Sequence, residues 1–333
     1  MNNLKKIGIS ALAGSLAAFS ANAVELTASG SAKVTYINGN GDEVTGNPFG
    51  MNTSIAFSGS GDVNGYETTL TIVQNDANTG ISSSVLSVDL GDMGTLAFDH
   101  GTGAGGLSLL DDKLPSAYEE SWDGITAAAT TSSNGKVGMG NSGVFVYTTE
   151  YAGTGISAQF GKGQSVNNDD DNNGGEGGHG SSWDVALTNS SLMDGLTVGA
   201  GFGSISNANG AQKEGSSDTD EHYTAFVTYS TGPVTIGYQE SMREDNTING
   251  IDEIAKGYGI AVNLMDGLSV SYNDREIEYA KAGAAHVTED ATGIALAYTM
   301  GAAKIAIQQN EADNNDGGTT SDEMTEIALS FAF

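Results

Sequence analysis

The sequence predicts an all-β protein, a 16-stranded antiparallel transmembrane β-barrel over residues 24–333. Three observations carry that prediction. The chain opens with an export leader. Sixteen later segments alternate apolar with small or polar residues at period two, as strands with one apolar face do. The connections alternate strictly between short turns and long acidic loops, the layout of an up-and-down barrel with turns at one rim and loops at the other.

The leader is read first. Lys5 and Lys6 form a basic start, Ile7 to Phe19 an apolar run, and Ala21-Asn22-Ala23 a small-x-small cleavage site. This is a secretory signal peptide, too short for a comfortable helical span. Residues 1–23 are set apart from the fold, and the mature chain starts at Val24. No other segment has 18 consecutive apolar residues, so no helical span is predicted. A strand-built span escapes that test because its apolar residues alternate. The chain has 48 Gly, 3 Pro and no Cys, which excludes a disulfide scaffold and a thiolate metal site. Net charge is −30, and losing Lys5 and Lys6 leaves 42 acids against 10 bases. Nucleic-acid binding through backbone phosphates needs a basic face and is excluded. The acidity favours contact with cations.

The strands follow in order. Leu26, Ala28, Val34 and Tyr36 share one face of the first. Ile55 and Phe57 mark the second, Tyr66, Leu70 and Ile72 the third, Leu86 and Val88 the fourth, Leu96 and Phe98 the fifth. The rhythm then stops from His100 to about Asn141, a connection far beyond the usual ~4–6 residues and therefore functional, disordered or misread as one connection. It holds a helix-like piece, Leu107 to Tyr118. Alternation resumes at Val144 to Tyr151 and continues through Ile156 to Phe160, Trp183 to Leu187 and Leu196 to Phe202. Tyr223 to Tyr229, Val234 to Tyr238, Tyr258 to Leu264 and Leu268 to Tyr272 follow, then Ile294 to Tyr298 and Ile305 to Ile307. The last strand, Glu323 to Phe333, ends the chain on an aromatic residue. An even count puts both termini at the short-turn rim, where this strand can pair with Leu26 to Tyr36. In lipid that closure is obligatory, because an open edge leaves backbone donors unsatisfied. Ile327, Leu329, Phe331 and Phe333 are expected to face lipid, and Glu326, Ala328 and Ser330 the lumen. A soluble sandwich would carry Lys and Glu on its second face, whereas here that face is mostly Ser, Thr, Ala and Gly. A solenoid would repeat at a fixed period, which is absent.

The strand count, the opening VELTASGSAKVTY, the long third outward loop and the ending Leu329-Ser330-Phe331-Ala332-Phe333 together resemble the general bacterial porins, most closely the alphaproteobacterial type. The resemblance covers the whole mature chain. It implies a homotrimer of water-filled barrels in the outer membrane, surrounded by lipid, with the third loop folded inward as a constriction. It implies passive diffusion of small polar solutes and ions. It also implies that Phe331 and Phe333 belong to the signal read by the barrel-assembly machinery. A PEFGG-like motif in the third loop, common in enterobacterial members, is absent, and the only arginines are Arg243 and Arg275.

The long connection carries Asp99, Asp111, Asp112, Glu119, Glu120 and Asp123, against Lys113 and Lys136. Folded into a lumen, these carboxylates form one electronegative side of a pore and select cations. Strand parity puts Lys33, Arg243, Arg275 and Lys304 on the facing wall, where they would orient dipolar solutes. With so few bases, cation preference is expected. A solute-specific channel on the same barrel, and a secreted or surface β-protein without a pore, are the alternatives.

Other motifs lead elsewhere. Gly101, Gly103 and Gly106 match G-x-G-x-x-G, but a dinucleotide site needs a βαβ unit that the antiparallel pattern does not offer. Asp169, Asp171 and Asn173 match the first half of an EF-hand loop, yet the twelfth position is Gly180. They are candidate ligands for weak calcium binding, and no cofactor is otherwise expected. His100, His179, His222 and His286 lack zinc spacing. No residue pattern supports an enzyme.

Overall fold

A computed structural model describes residues 25–39, 46–75, 80–103, 105–125, 142–162, 181–206, 219–245, 251–281 and 287–333. The predicted signal peptide, residues 1–23, Lys136 and the calcium candidates Asp169, Asp171 and Asn173 lie outside these residues.

Sixteen strands are present. They are β1 Glu25–Gly39, β2 Phe49–Val63, β3 Tyr66–Asn75, β4 Ser83–Asp89, β5 Thr95–His100, β6 Ser142–Tyr151, β7 Thr154–Gly161 and β8 Ser182–Asn189. Then come β9 Leu196–Ser206, β10 Thr219–Thr231, β11 Val234–Glu244, β12 Ile251–Met265, β13 Leu268–Lys281, β14 Val287–Met300, β15 Ala303–Asp313 and β16 Asp322–Ala332. Each pairs antiparallel with its neighbour in sequence, and β1 pairs with β16, so the sheet is a closed barrel without an edge.

The closing strands meet through Ser31–Gly39 and Met324–Ala332. Beyond the ladder, Gly30 N–H donates to Phe333 O (2.7 Å) and Phe333 N–H to Gly30 O (2.9 Å). The pairing is thus offset toward the end of β1 from the predicted span of Leu26 to Tyr36. Staggered register is what tilted strands in a closed barrel require.

Alternation along β16 has the predicted parity. Ile327, Leu329, Phe331 and Phe333 are exposed, whereas Met324, Glu326 and Ala328 are buried. A slip of one residue would exchange these sets and put Glu326 on the apolar face. The same two faces, one apolar and exposed and one polar or small, run through the other strands.

Several strands are longer than predicted, two of them markedly at the long-loop end. β12 begins at Ile251 rather than Tyr258, and β14 at Val287 rather than Ile294. Above the apolar band both faces are polar, so hydrophobic alternation fades while the backbone ladder continues. The band's limit is marked by tyrosines. Tyr223, Tyr238 and Tyr272 donate to Glu221 (2.5 Å), Glu240 (2.6 Å) and Asp274 (3.3 Å), two residues further toward the loops. Ring pairs Tyr36–Phe49, Phe98–Phe145, Trp183–Phe202, Phe202–Tyr223 and Tyr238–Tyr258 lie 4.9–5.3 Å apart between neighbouring strands. An interfacial aromatic girdle has this form.

The short turns carry the other signature. Asn64 and Gly65 join β2 to β3 with φ of 55° and 89°, the left-handed pair a two-residue hairpin demands.

Candidate functional site

The connection between β5 and β6 forms the site. Of its described residues, 101–103 and 105–125, the longer stretch packs across the polar face of the wall. Only Gly106–Leu110 is helical, as a single 3-10 turn, so the predicted helix-like piece through Tyr118 is mostly irregular. Ser116, Pro115 and the glycines around the turn give the backbone no regular ladder of its own. Its hydrogen bonds go to the wall instead.

Those bonds follow the strands in order. Gly106 N–H donates to Ser157 Oγ of β7 (2.8 Å), and Leu107 N–H to Asp184 Oδ1 of β8 (2.8 Å). Gln239 of β11 accepts from Lys113 N–H (2.9 Å) and donates to Leu110 O (2.7 Å). Asn273 of β13 donates to Pro115 O (3.0 Å), and Ser271 accepts from Ala117 N–H (2.9 Å). Gln308 of β15 accepts from Glu119 N–H (3.1 Å) and donates to Glu120 O (2.7 Å). Asn310 donates to Glu120 O (3.0 Å) and Asp123 O (2.7 Å). Side-chain amides thus replace the strand partner that this backbone lacks, which a buried irregular segment requires.

Apolar contacts follow the same path. Leu107 and Leu110 pack with Ala186 and Phe226. Leu114, Trp122 and Ile125 pack with Ala291 and Ala312, and Ala117 with Ala295, Ala297 and Ala306. Two wall glycines make room for Pro115. A Cβ at Gly237 or Gly259 would fall 2.5 or 2.9 Å from the proline Cδ.

The charged groups separate into two sets. Asp111, Asp112, Lys113, Glu119, Glu120 and Asp123 are partly exposed on the segment. Lys33 of β1 pairs with Glu119 (3.6 Å). Lys304 of β15 and Lys33 lie 5.0 and 5.7 Å from the ring centroid of Tyr118, whose hydroxyl donates to Glu326 (2.6 Å). Lys33 and Lys304 both stand opposite Ser330 in register, so they form one row with it. Burial, then the bond to Glu326, pushes the Tyr118 hydroxyl well above its ordinary value. Burial also raises the Asp123 carboxyl to about 6, with Glu119 and Glu326 adding to the effect and Lys33 opposing it.

Three predicted site residues are placed differently. Asp99 is fully buried at the end of β5, where it accepts from Thr102 N–H (2.9 Å) and Thr102 Oγ1 (2.5 Å), so it shapes the exit turn and does not join the partly exposed acids. Arg243 lies among Asp220 (3.6 Å), Asp245 (3.3 Å) and Glu253 (3.6 Å), which cancel its charge as a facing base. Arg275 is buried beneath Trp122. Lys33 and Lys304 therefore remain as the facing bases. The amides Gln239, Asn273, Gln308 and Asn310 were not anticipated. Their signal was a carboxamide on the polar parity where other strands carry Ser or Thr.

Barrel and site together define a class: closed 16-stranded antiparallel barrels with the long third outward connection packed on the polar face of the wall. No protein-family model and no curated protein sequence matches the chain. Solved structures match it in fold. A loop L8 deletion mutant of OmpT, an outer membrane protein of Vibrio cholerae, superposes with a TM-score of 0.69 at 14% identity, over 94% of this chain and 100% of that one. Salmonella typhi OmpF, in its complex with daunomycin, gives 0.66 at 14% identity over 94% and 98%. The anion-selective porin from Comamonas acidovorans gives 0.65 at 12% identity over 93% and 100%. The fold is that of the outer-membrane porins.

Proposed function

We propose that this protein is an outer-membrane porin. It forms a water-filled channel for passive diffusion of small polar solutes and ions, narrowed by residues 105–125 and preferring cations. The chain is exported by residues 1–23, inserted with the aid of its Phe331/Phe333 terminus, and assembled as a homotrimer. A trimer form is described for Vibrio cholerae OmpT, which shares the fold.

The path of the loop carries this reading. Gly106 touches β7 and Glu119 touches β1, ten strand spacings apart around the long side of the barrel. At a tilt near 40° each strand takes about 6 Å of circumference, so the route around the outside is roughly 60 Å. Thirteen residues reach at most about 45 Å when fully extended, and these include a 3-10 turn. The segment's other partners, on β8, β11, β13 and β15, lie along this long side and on the polar parity of the wall, which supports a path through the lumen as a constriction.

Selectivity is read from the lining, since an anion-selective porin has the same fold. Five loop carboxylates (Asp111, Asp112, Glu119, Glu120, Asp123) and Glu326 stand against Lys33, Lys113 and Lys304. Acid-rich linings favour cations. The test is conductance of the refolded protein in planar bilayers. Steps that scale with salt and reverse on the cation side of a gradient are expected. Absence of steps from folded barrels overturns the channel reading, and block by one solute class moves it to a solute-specific channel.

A further inference from the structure

We infer that Trp122 and Arg275 form a pin that holds the returning leg of the constriction in place, so that the narrow part of the pore is a fixed fitting of the wall. This inference rests on the channel reading above.

Arg275 is among the largest fully buried side chains of the barrel, at 2% exposure. No hydrogen-bond acceptor reaches its guanidinium nitrogens among the described residues. Two other partners hold it. The Trp122 ring lies 4.4 Å from Cζ, and Glu289 Oε1 lies 3.6 Å from Nη2. Glu289 is itself buried and accepts from the Tyr279 hydroxyl (3.1 Å). Taking a guanidinium out of water is costly, and the cost is offset only where its charge is met from several sides. The indole face meets the guanidinium electrostatically and covers it sterically. The space beside them, about 10 Å3 between Leu114, Trp122 and Arg275, holds at most one water.

Trp122 therefore acts in both directions. It seals the Arg275–Glu289 pair from the pore, and the pair holds the loop by its ring. Releasing the leg means exposing a tryptophan to water and losing the ring's contact with the guanidinium. The hydrogen bonds from Gln308 and Asn310 fix the backbone on either side of this point, at Glu120 and Asp123, and the pin fixes the side chain between them. Trp122 and Arg275 are positioning residues, since neither stands among the partly exposed charges.

The test compares single-channel records of the folded wild type with Trp122→Met, Trp122→Phe and Arg275→Met. At 122, Met keeps an apolar side chain without a ring and Phe keeps a ring; at 275, Met keeps the length and removes the charge. Trp122→Met and Arg275→Met are expected to raise unitary conductance by about half and to add flicker between substates, while Trp122→Phe stays quiet. The double variant Trp122→Met/Arg275→Met should add little to either single change. Wild-type conductance and noise in Trp122→Met overturn the pin. If Arg275→Met does not fold, the Trp122→Met and Trp122→Phe comparison decides alone. A silent wild-type barrel is a different result and rejects the channel itself.

Discussion

Replacing Asp111, Asp112, Glu119 and Glu120 together with their amides is expected to remove the cation preference. The magnitude follows from the charges on the segment. An ion passing about 7 Å from a carboxylate in water gains about 0.6 kcal/mol, and screening at physiological salt leaves about 0.25 kcal/mol. That raises the local cation population about 1.5-fold per acid and lowers the anion population equally, so each acid changes the permeability ratio roughly twofold. Four acids together amount to a factor of roughly 10–30. The lining then holds Asp123 and Glu326 against Lys33, Lys113 and Lys304, and Lys33 is freed from Glu119. The assay is the reversal potential across a tenfold KCl gradient. It should move from the cation side to zero or beyond. A permeability ratio unchanged within about twofold would refute the assignment of selectivity to this segment. Lys33→Gln supplies the opposite control and should strengthen cation preference.

Asp123 provides a pH-dependent test. Its carboxyl stands at about 6 in the folded chain and near 3.9 when unfolded, so folding raises its proton affinity. The associated stability is complete below about pH 4 and is lost as pH rises through 6. Asp123→Asn should thus stabilise the barrel at pH 8 by about 2 kcal/mol and flatten the slope between pH 4 and 6, as read from urea midpoints. An unaltered slope rejects the shift. Gly237→Ala places a methyl group against Pro115 and should cost about 1–3 kcal/mol by overpacking, measured as the shift in denaturation midpoint. Phe333→Ala removes the ring that lies over Gly30, and the amount of folded protein recovered from cells should fall further than the yield of detergent refolding. Equal losses in both would reduce Phe333 to a packing role.

The barrel was legible because lipid enforces a simple rule. Within the apolar band every second residue must be apolar, so Ile327, Leu329, Phe331 and Phe333 announce their face. Above the band that rule lapses. The extensions of β12 to Ile251 and β14 to Val287 carry polar residues on both faces and therefore resembled loop. The acids Asp111, Asp112, Glu119, Glu120 and Asp123 could be picked out by their place in the one overlong connection. The fate of the bases could not. Arg243, Arg275, Lys33 and Lys304 share one parity, yet the arginines are taken up by acids on neighbouring strands, or by a tryptophan more than 150 positions away. Such pairings depend on register between strands and on the path of the loop. Neither leaves a mark in the local pattern. The same is true of Gly237 and Gly259, which look like ordinary strand glycines until Pro115 is laid across them.

The contacts of Tyr118 and Glu119 have a mechanical consequence. Tyr118 is bonded to Glu326 on β16, and Glu119 to Lys33 on β1. Adjacent residues of one loop thus grip both sides of the junction where the chain's two ends meet. The loop leaves the wall after β5, so it is a stitch drawn across the join by a distant part of the thread. Pulling β1 away from β16 strains their ladder and this stitch together.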